Sequence, residues 1–325
     1  ELADVLKYAK NQDNYTSSNP LKVFVAGGTY KPMYRQEDQY YSTNNKRRNT
    51  FSLVKNVQLY GGFAGTETTL ADRNLTITTN KTILSGDIGT VNDKTDNSYH
   101  VIMSIGDVET AKIDGFTISN GYTDQNYEQV KIKNLYFYNG DGAGIYNSTS
   151  SPTLSNLIIT DNQTENDNHI GGGIYNNASS PLIRDVKITN NKSYYGGGIG
   201  SENNSNPTLL NVAIFKNEST TEGGGMYNIY SSSPKLINVT ISENSSITAL
   251  INKKDELIKE SQNLKLNKGE YEQIIKVINV SLNNLNTKGF NSKMKLLLPF
   301  LFVFLYLIGF VFNNLYKRQL ARIKG

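Results

Sequence analysis

No cysteine occurs anywhere in this sequence, which excludes disulfides and zinc–thiolate centres but chooses no compartment. Only two histidines are present, His100 and His169. They stand far apart and supply neither a metal signature nor a nucleophilic triad. There is no tryptophan, and four of the seven prolines recur at one place in a repeat. The net charge of +4 is unevenly spread. Residues 1–139 carry 15 basic and 15 acidic side chains, residues 140–246 carry 5 and 9, and residues 247–325 carry 13 and 5. A neutral-to-acidic middle gives no reason to expect nucleic acid as a partner.

What is present is a sentence written four times. It opens Gly142-Ala143-Gly144-Ile145, Gly171-Gly172-Gly173-Ile174, Gly196-Gly197-Gly198-Ile199 and Gly223-Gly224-Gly225-Met226. Then follow Pro152, Pro181, Pro207 and Pro234; Leu154, Ile183, Leu209 and Leu236; Asn156, Asp185, Asn211 and Asn238. The unit ends on Ile159, Ile188, Ile214 and Ile241, then Asn162, Asn191, Asn217 and Asn244. From the prolines to the closing asparagines the columns are spaced 29, 26 and 27 residues apart. A fixed period in that range signals a solenoid. Alternation at Leu157 and Ile159 is a strand signal, and the Gly, Asn, Ser and Pro content breaks helices. Each unit therefore reads as one coil of a parallel β-helix, an all-β fold. Isoleucines stack inside and asparagines hydrogen-bond along the corners. A worn copy upstream, Ile113, Gly115, Phe116, Ile118 and Gly121, keeps the offsets with glycine at both asparagine positions. That substitution suits a left-handed backbone.

Around this core the chain divides into three parts. Residues 1–246 form the β-helix, with a cap helix at 1–10 that places Leu2, Val5, Leu6 and Ala9 on one side. The regular coils fill 142–246, and strands near 22–30, 51–65, 82–89 and 99–105 give earlier coils with longer loops. Stacking implies about eight coils, a rod of roughly 40 Å. The basic triplet Lys46, Arg47 and Arg48 could bind an anionic polymer or be a solvated loop. Residues 247–290 carry Leu250, Leu257, Leu264, Tyr271, Ile278 and Leu285 at heptad spacing and read as amphipathic helices at 248–266 and 270–286. Residues 291–325 hold the uncharged run Leu296 to Phe312. Extended to Tyr316 it would span roughly one hydrocarbon core. The basic tail behind it places the C-terminus on the cytoplasmic side. No export signal precedes Glu1, so it has been removed or the sequence starts inside its gene.

The runs VFVAGGTYKP, LYGGFAGTET, TILSGDIG, KIDGFTISNG and the GGGIYN copies resemble bacterial exported proteins with the right-handed parallel β-helix of the pectin-lyase-like superfamily. The GGGI…N period is also similar to the repeats of polymorphic outer membrane proteins, with GGGI in place of GGA and without their FxxN phenylalanine. The resemblance covers about residues 1–246 and implies the fold; that fold hosts lyases, hydrolases and adhesins alike.

Candidate chemistry is thin. Enzymes of this fold use clustered acids, calcium and a basic residue, yet no repeat column places two carboxylates on neighbouring coils. An N-terminal loop set, Asp87, Asp93, Asp96 and His100 beside Arg73, would have to converge in one groove. Asp161, Glu165 and Asp167 offer oxygens to Ca2+, or are ordinary loop acids. Tyr146, Tyr175 and Tyr227 share a column broken by Gly200; they would stack sugar rings or simply fill the solenoid surface. The expectation is an exported, membrane-anchored surface protein that contacts a polysaccharide or a neighbouring cell without catalysis. A polysaccharide lyase or glycoside hydrolase is the alternative.

Overall fold

The structure, a computed structural model, describes residues 1–12, 14–36, 46–124, 129–132, 135–165 and 167–242. The expected helices at 248–266 and 270–286, the membrane run from Leu296, and Glu243 and Asn244 lie outside the described residues. Among the described residues no helix is long and apolar enough to cross a membrane.

Among the described residues the chain is mainly β, with parallel strands in several sheets and one short α-helix, an arrangement consistent with a β-solenoid. One coil runs through Ile145–Ser148, Thr153–Ser155, Ile158–Thr160 and Gln163–Thr164. The next runs through Ile174–Asn177, Leu182–Arg184, Lys187–Thr189 and Lys192–Tyr195. Like stacks on like: Ile145 pairs Ile174, Ile174 pairs Ile199, and Ile199 pairs Met226. Ile159, Ile188, Ile214 and Ile241 form one continuous row, and the first three are fully buried. The worn copy is a true coil, since Ile113 pairs Leu154 and Ile118 pairs Ile159. Among the described residues the longest column of strands begins at Leu21–Ala26 and ends at Lys235–Ser242, with seven members. At about 4.8 Å per step that stack is roughly 29 Å long.

The glycines that open each coil do two jobs. The first is left-handed, with φ of 65°, 74°, 61° and 68° at Gly142, Gly171, Gly196 and Gly223. The third lets backbones approach: a Cβ on Gly144, Gly173 or Gly198 would lie 2.4–2.6 Å from the carbonyl oxygen of its counterpart one coil on.

The asparagines split into two classes. Asn156, Asp185, Asn211 and Asn238 are left-handed corners, φ 51° to 56°, and Gly115 matches them at 82°. The closing asparagines are different and correct one expectation. The left-handed residue there is the preceding one, namely Asn120, Asp161, Asn190 and Lys216. Gly121 therefore does not substitute for conformational reasons. Asn162 and Asn191 are buried and form a ladder: the Asn162 backbone N–H and Nδ2 both donate to Asn191 Oδ1 (3.1 and 3.0 Å). Asn191 repeats this to Asn217 at 3.0 Å twice. Each Nδ2 also donates to a carbonyl one coil back: Ile118, Ile159 and Ile188. A serine ladder runs beside it, with the N–H groups of Ser150, Ser179 and Ser205 donating to the hydroxyls of Ser179, Ser205 and Ser232, each 3.0 Å.

Helix α1, Leu2–Lys10, packs Leu2, Ala3, Leu6 and Ala9 into the same core as Phe51 and Val57. Val5, expected on the buried side, is 38% exposed, and Ala3 takes its place. The second departure is an antiparallel hairpin, Gln129–Ile132 with Leu135–Tyr138, which no repeat column announces.

Candidate functional site

Of the five N-terminal residues offered as a catalytic group, Asp87, Asp93 and Asp96 share one loop, and Asp93, Asp96, His100 and Arg73 each hold partners outside the group. Asp93 accepts from the Thr95 N–H (3.0 Å) and hydroxyl (2.6 Å), capping the short turn Lys94–Asp96. Asp96 accepts from the Thr90 N–H at 2.7 Å and fills the space beside Gly89. Asp87 sits half-buried in the same loop region. His100 is 3% exposed, with Nδ1 3.0 Å from the Gly142 carbonyl oxygen and its ring 5.2 Å from Tyr146. Burial pushes its pKa down to about 4, so it is neutral near pH 7. Among the described residues no hydrogen bond or ion pair links any two of Arg73, Asp87, Asp93, Asp96 and His100.

Arg73 belongs to another group, which the sequence did not reveal. Asp114 is buried, and Arg73 Nη2, Lys112 Nζ, Ser155 Oγ and Asn156 Nδ2 approach its carboxylate at 2.8, 2.8, 2.7 and 3.0 Å. Arg73 also donates to the Gly61 carbonyl oxygen at 3.1 Å. Burial raises the Asp114 pKa, but the hydrogen bonds from Lys112, Ser155 and Arg73 outweigh it and hold the group below its usual value. A carboxylate with four donors is a structural tie, poorly suited to abstracting a proton. The basic triplet is likewise neither solvated nor available to an anionic polymer at Arg47. Its guanidinium donates to Asn97 and Tyr122 carbonyl oxygens and to Asp124, and lies 4.4 Å from the Tyr99 ring centroid.

The proposed calcium acids are also separate. Asp161 accepts from Thr160 Oγ1 at 2.8 Å, Glu165 lies 3.6 Å from Lys94 Nζ and accepts from Gln163, and Asp167 is exposed. Among the described residues no group of three or more His, Asp or Glu could hold a metal ion.

The tyrosine column exists, but its members live in two environments. Tyr146 pairs Tyr175 in register, with rings 5.1 Å apart. They are 1% and 2% exposed, covered by Val130, Ile132 and Phe137 of the hairpin. They present no face to a sugar, which corrects the open platform expected at these two positions. The Tyr175 hydroxyl donates to Glu202. His169 is fully buried, with Nδ1 3.6 Å from Asp141. The break at Gly200 has a steric cause: a Cβ there would lie 2.1 Å from Ile170, which the longest inter-coil loop folds into the gap.

Beyond that break the rings are open. Tyr227 is half-buried and stacks on Tyr195, centroids 4.7 Å and planes 18° apart. Tyr194 meets Tyr195 edge-on at 4.7 Å and 84°. Tyr230 is 64% exposed. Glu222 pairs with Tyr195 in the sheet. Burial and then neighbouring charge, Glu222 among it, raise the phenol pKa values of Tyr195 and Tyr227. Tyr194 and Tyr195 come from the variable loop side of the repeat, which is why column analysis found only Tyr227.

Comparison of the chain with known protein families, with curated proteins and with solved structures finds no match.

Proposed function

We propose that this chain is an exported, surface-displayed right-handed β-helix of the pectin-lyase-like kind, which contacts carbohydrate without catalysis. The run Leu296–Tyr316 would anchor it in a membrane, with the coils outside the cell. The observation that carries the reading is the open aromatic group Tyr194, Tyr195 and Tyr227, half-buried, with two rings already stacked. Stacked phenols at a surface offer apolar faces with a polar rim, suited to sugar rings. Support also comes from Asp93 and Asp96, two of the acids offered to a lyase, whose carboxylates are taken up in turns.

The test is a glycan-array measurement on the full chain, with calcium and with chelator, beside an activity assay on polygalacturonate. Binding that persists in chelator, with no release of oligosaccharide, is the expected result. Release of unsaturated or reducing sugar would instead favour the lyase or hydrolase reading.

A further inference from the structure

We infer that Tyr194, Tyr195, Tyr227 and Glu222 form a subsite for an uncharged oligosaccharide of pyranose units; the inference rests on the carbohydrate reading above and names its ligand class.

The argument begins with a contrast among tyrosines. Several of those in the earlier coils carry cations on their rings. Arg47 lies over Tyr99 at 4.4 Å, Lys94 over Tyr122 at 4.9 Å, and Lys112 over Tyr60 at 5.1 Å. Their faces are occupied, and the cations hold loops in place. Among the described residues no lysine or arginine lies over Tyr194, Tyr195 or Tyr227. Carboxylates stand there instead. Glu222 adjoins Tyr195, and Glu202, next along, already accepts from the buried Tyr175 hydroxyl.

This charge pattern selects the occupant. Uronates and sulfated sugars would bring negative charge to a group that contains Glu222 and over whose rings, among the described residues, no cation lies, and like charges repel. A neutral pyranose with equatorial hydroxyls has an apolar C–H face for the open ring and donors for the Glu222 carboxylate. A cationic ligand would be drawn by Glu222, but the aromatic faces then act on a point charge and not along a chain of rings. Tyr195 closes one coil and pairs Glu222 on the next, while Tyr227, which pairs Gly200, opens the coil after that; their rings meet across the intervening step. The aromatic strip therefore runs along the stack, and a linear glycan would follow it. Tyr195 and Tyr227 hold each other by stacking, and the Tyr227 Cβ packs beside Gly196 and Gly223, so little side-chain freedom is lost on binding.

Calorimetric titration of the full chain with three hexasaccharides tests this: β-1,4-linked glucose, β-1,4-linked mannose and α-1,4-linked galacturonate. One or both neutral hexamers should bind and the galacturonate should not. Tyr195→Ala and Tyr227→Ala should each weaken the neutral ligand about tenfold. Tyr227→Phe, which keeps the ring, should stay close to the parent. Tyr8→Ala, at an exposed tyrosine far from the strip in sequence, should change nothing. Melting curves confirm that each variant is folded, and Tyr227→Phe reports on stacking even if the alanine variants are not. Neutral binding unaffected by both alanine variants overturns this site and leaves the carbohydrate reading standing. Preference for galacturonate overturns the ligand class. Failure of all three hexamers, and of the array, removes the carbohydrate reading and the subsite with it.

Discussion

The coils from Gly142 onward and the coils before them follow one path through shared sheets, yet they are held by different chemistry. In the later coils the ties are neutral and repeated. Asparagine bonds asparagine, serine bonds serine, and isoleucine packs on isoleucine. In the earlier coils they are charged and used once. Arg73 reaches Asp114, Arg47 reaches Asp124 and Lys55 reaches Asp107 and Glu109. Coil length explains the difference. Where units match within a few residues, identical side chains fall above one another and serve each other. Where long loops intervene no partner recurs, and a loop must be fastened by a long side chain to whatever charge lies beneath it.

The comparison can be broken first in the regular coils. Ile188→Ala removes a fully buried side chain from the middle of its row, and we expect a loss of about 4 kcal/mol in urea unfolding. Two effects of about 3 kcal/mol belong to the earlier coils and the seam. Asp114→Asn leaves Arg73 and Lys112 without their counter-charge, and hydrogen exchange should rise in the Arg73 loop before the Asn162 ladder responds. His100 sets a pH window. Its folded pKa, about 4, lies below the ordinary histidine value of 6.5. Above pH 6.5 both states are neutral and stability is whole. As pH falls from 6.5 towards 4 the unfolded chain takes the proton and the native one does not, so about 3 kcal/mol is lost. Denaturation at stepped pH should show this slope, and His100→Gln should flatten it. Asp114 acts later: its folded pKa lies below 3.8, so its contribution is present above 3.8 and disappears as pH falls through the folded value. The smallest change is a gain. Lys216 is left-handed at φ 56° in a column otherwise holding Asn120, Asp161 and Asn190, and Lys216→Asn should add about 0.5 kcal/mol in the same unfolding assay.

What could be seen in the sequence follows the same division. Period and alternation located the isoleucine row, the corner asparagines and the worn coil at Ile113 to Ile118, because each of these depends on position within a unit. Ser150, Ser179, Ser205 and Ser232 share the 29, 26 and 27 spacing and were findable by the same means. The Asp114 tie was not, since its five members come from residues 73, 112, 114, 155 and 156 with no shared period. Nor was the burial of Tyr146 and Tyr175, because alternation points a side chain outward without saying what covers it. The hairpin that does so is an insertion peculiar to one coil.

The asparagine ladder has a polarity. The amide oxygens of Asn162, Asn191 and Asn217 receive from the coil before, and the amide nitrogens of Asn162 and Asn191 each give to the coil before, their own coil and the coil after. Duplicating or deleting one whole unit reproduces this pattern at both new junctions and strands no donor. Recombination between copies can therefore lengthen or shorten the stack without disturbing its ends, whereas excising half a unit would orphan an amide in the dry interior.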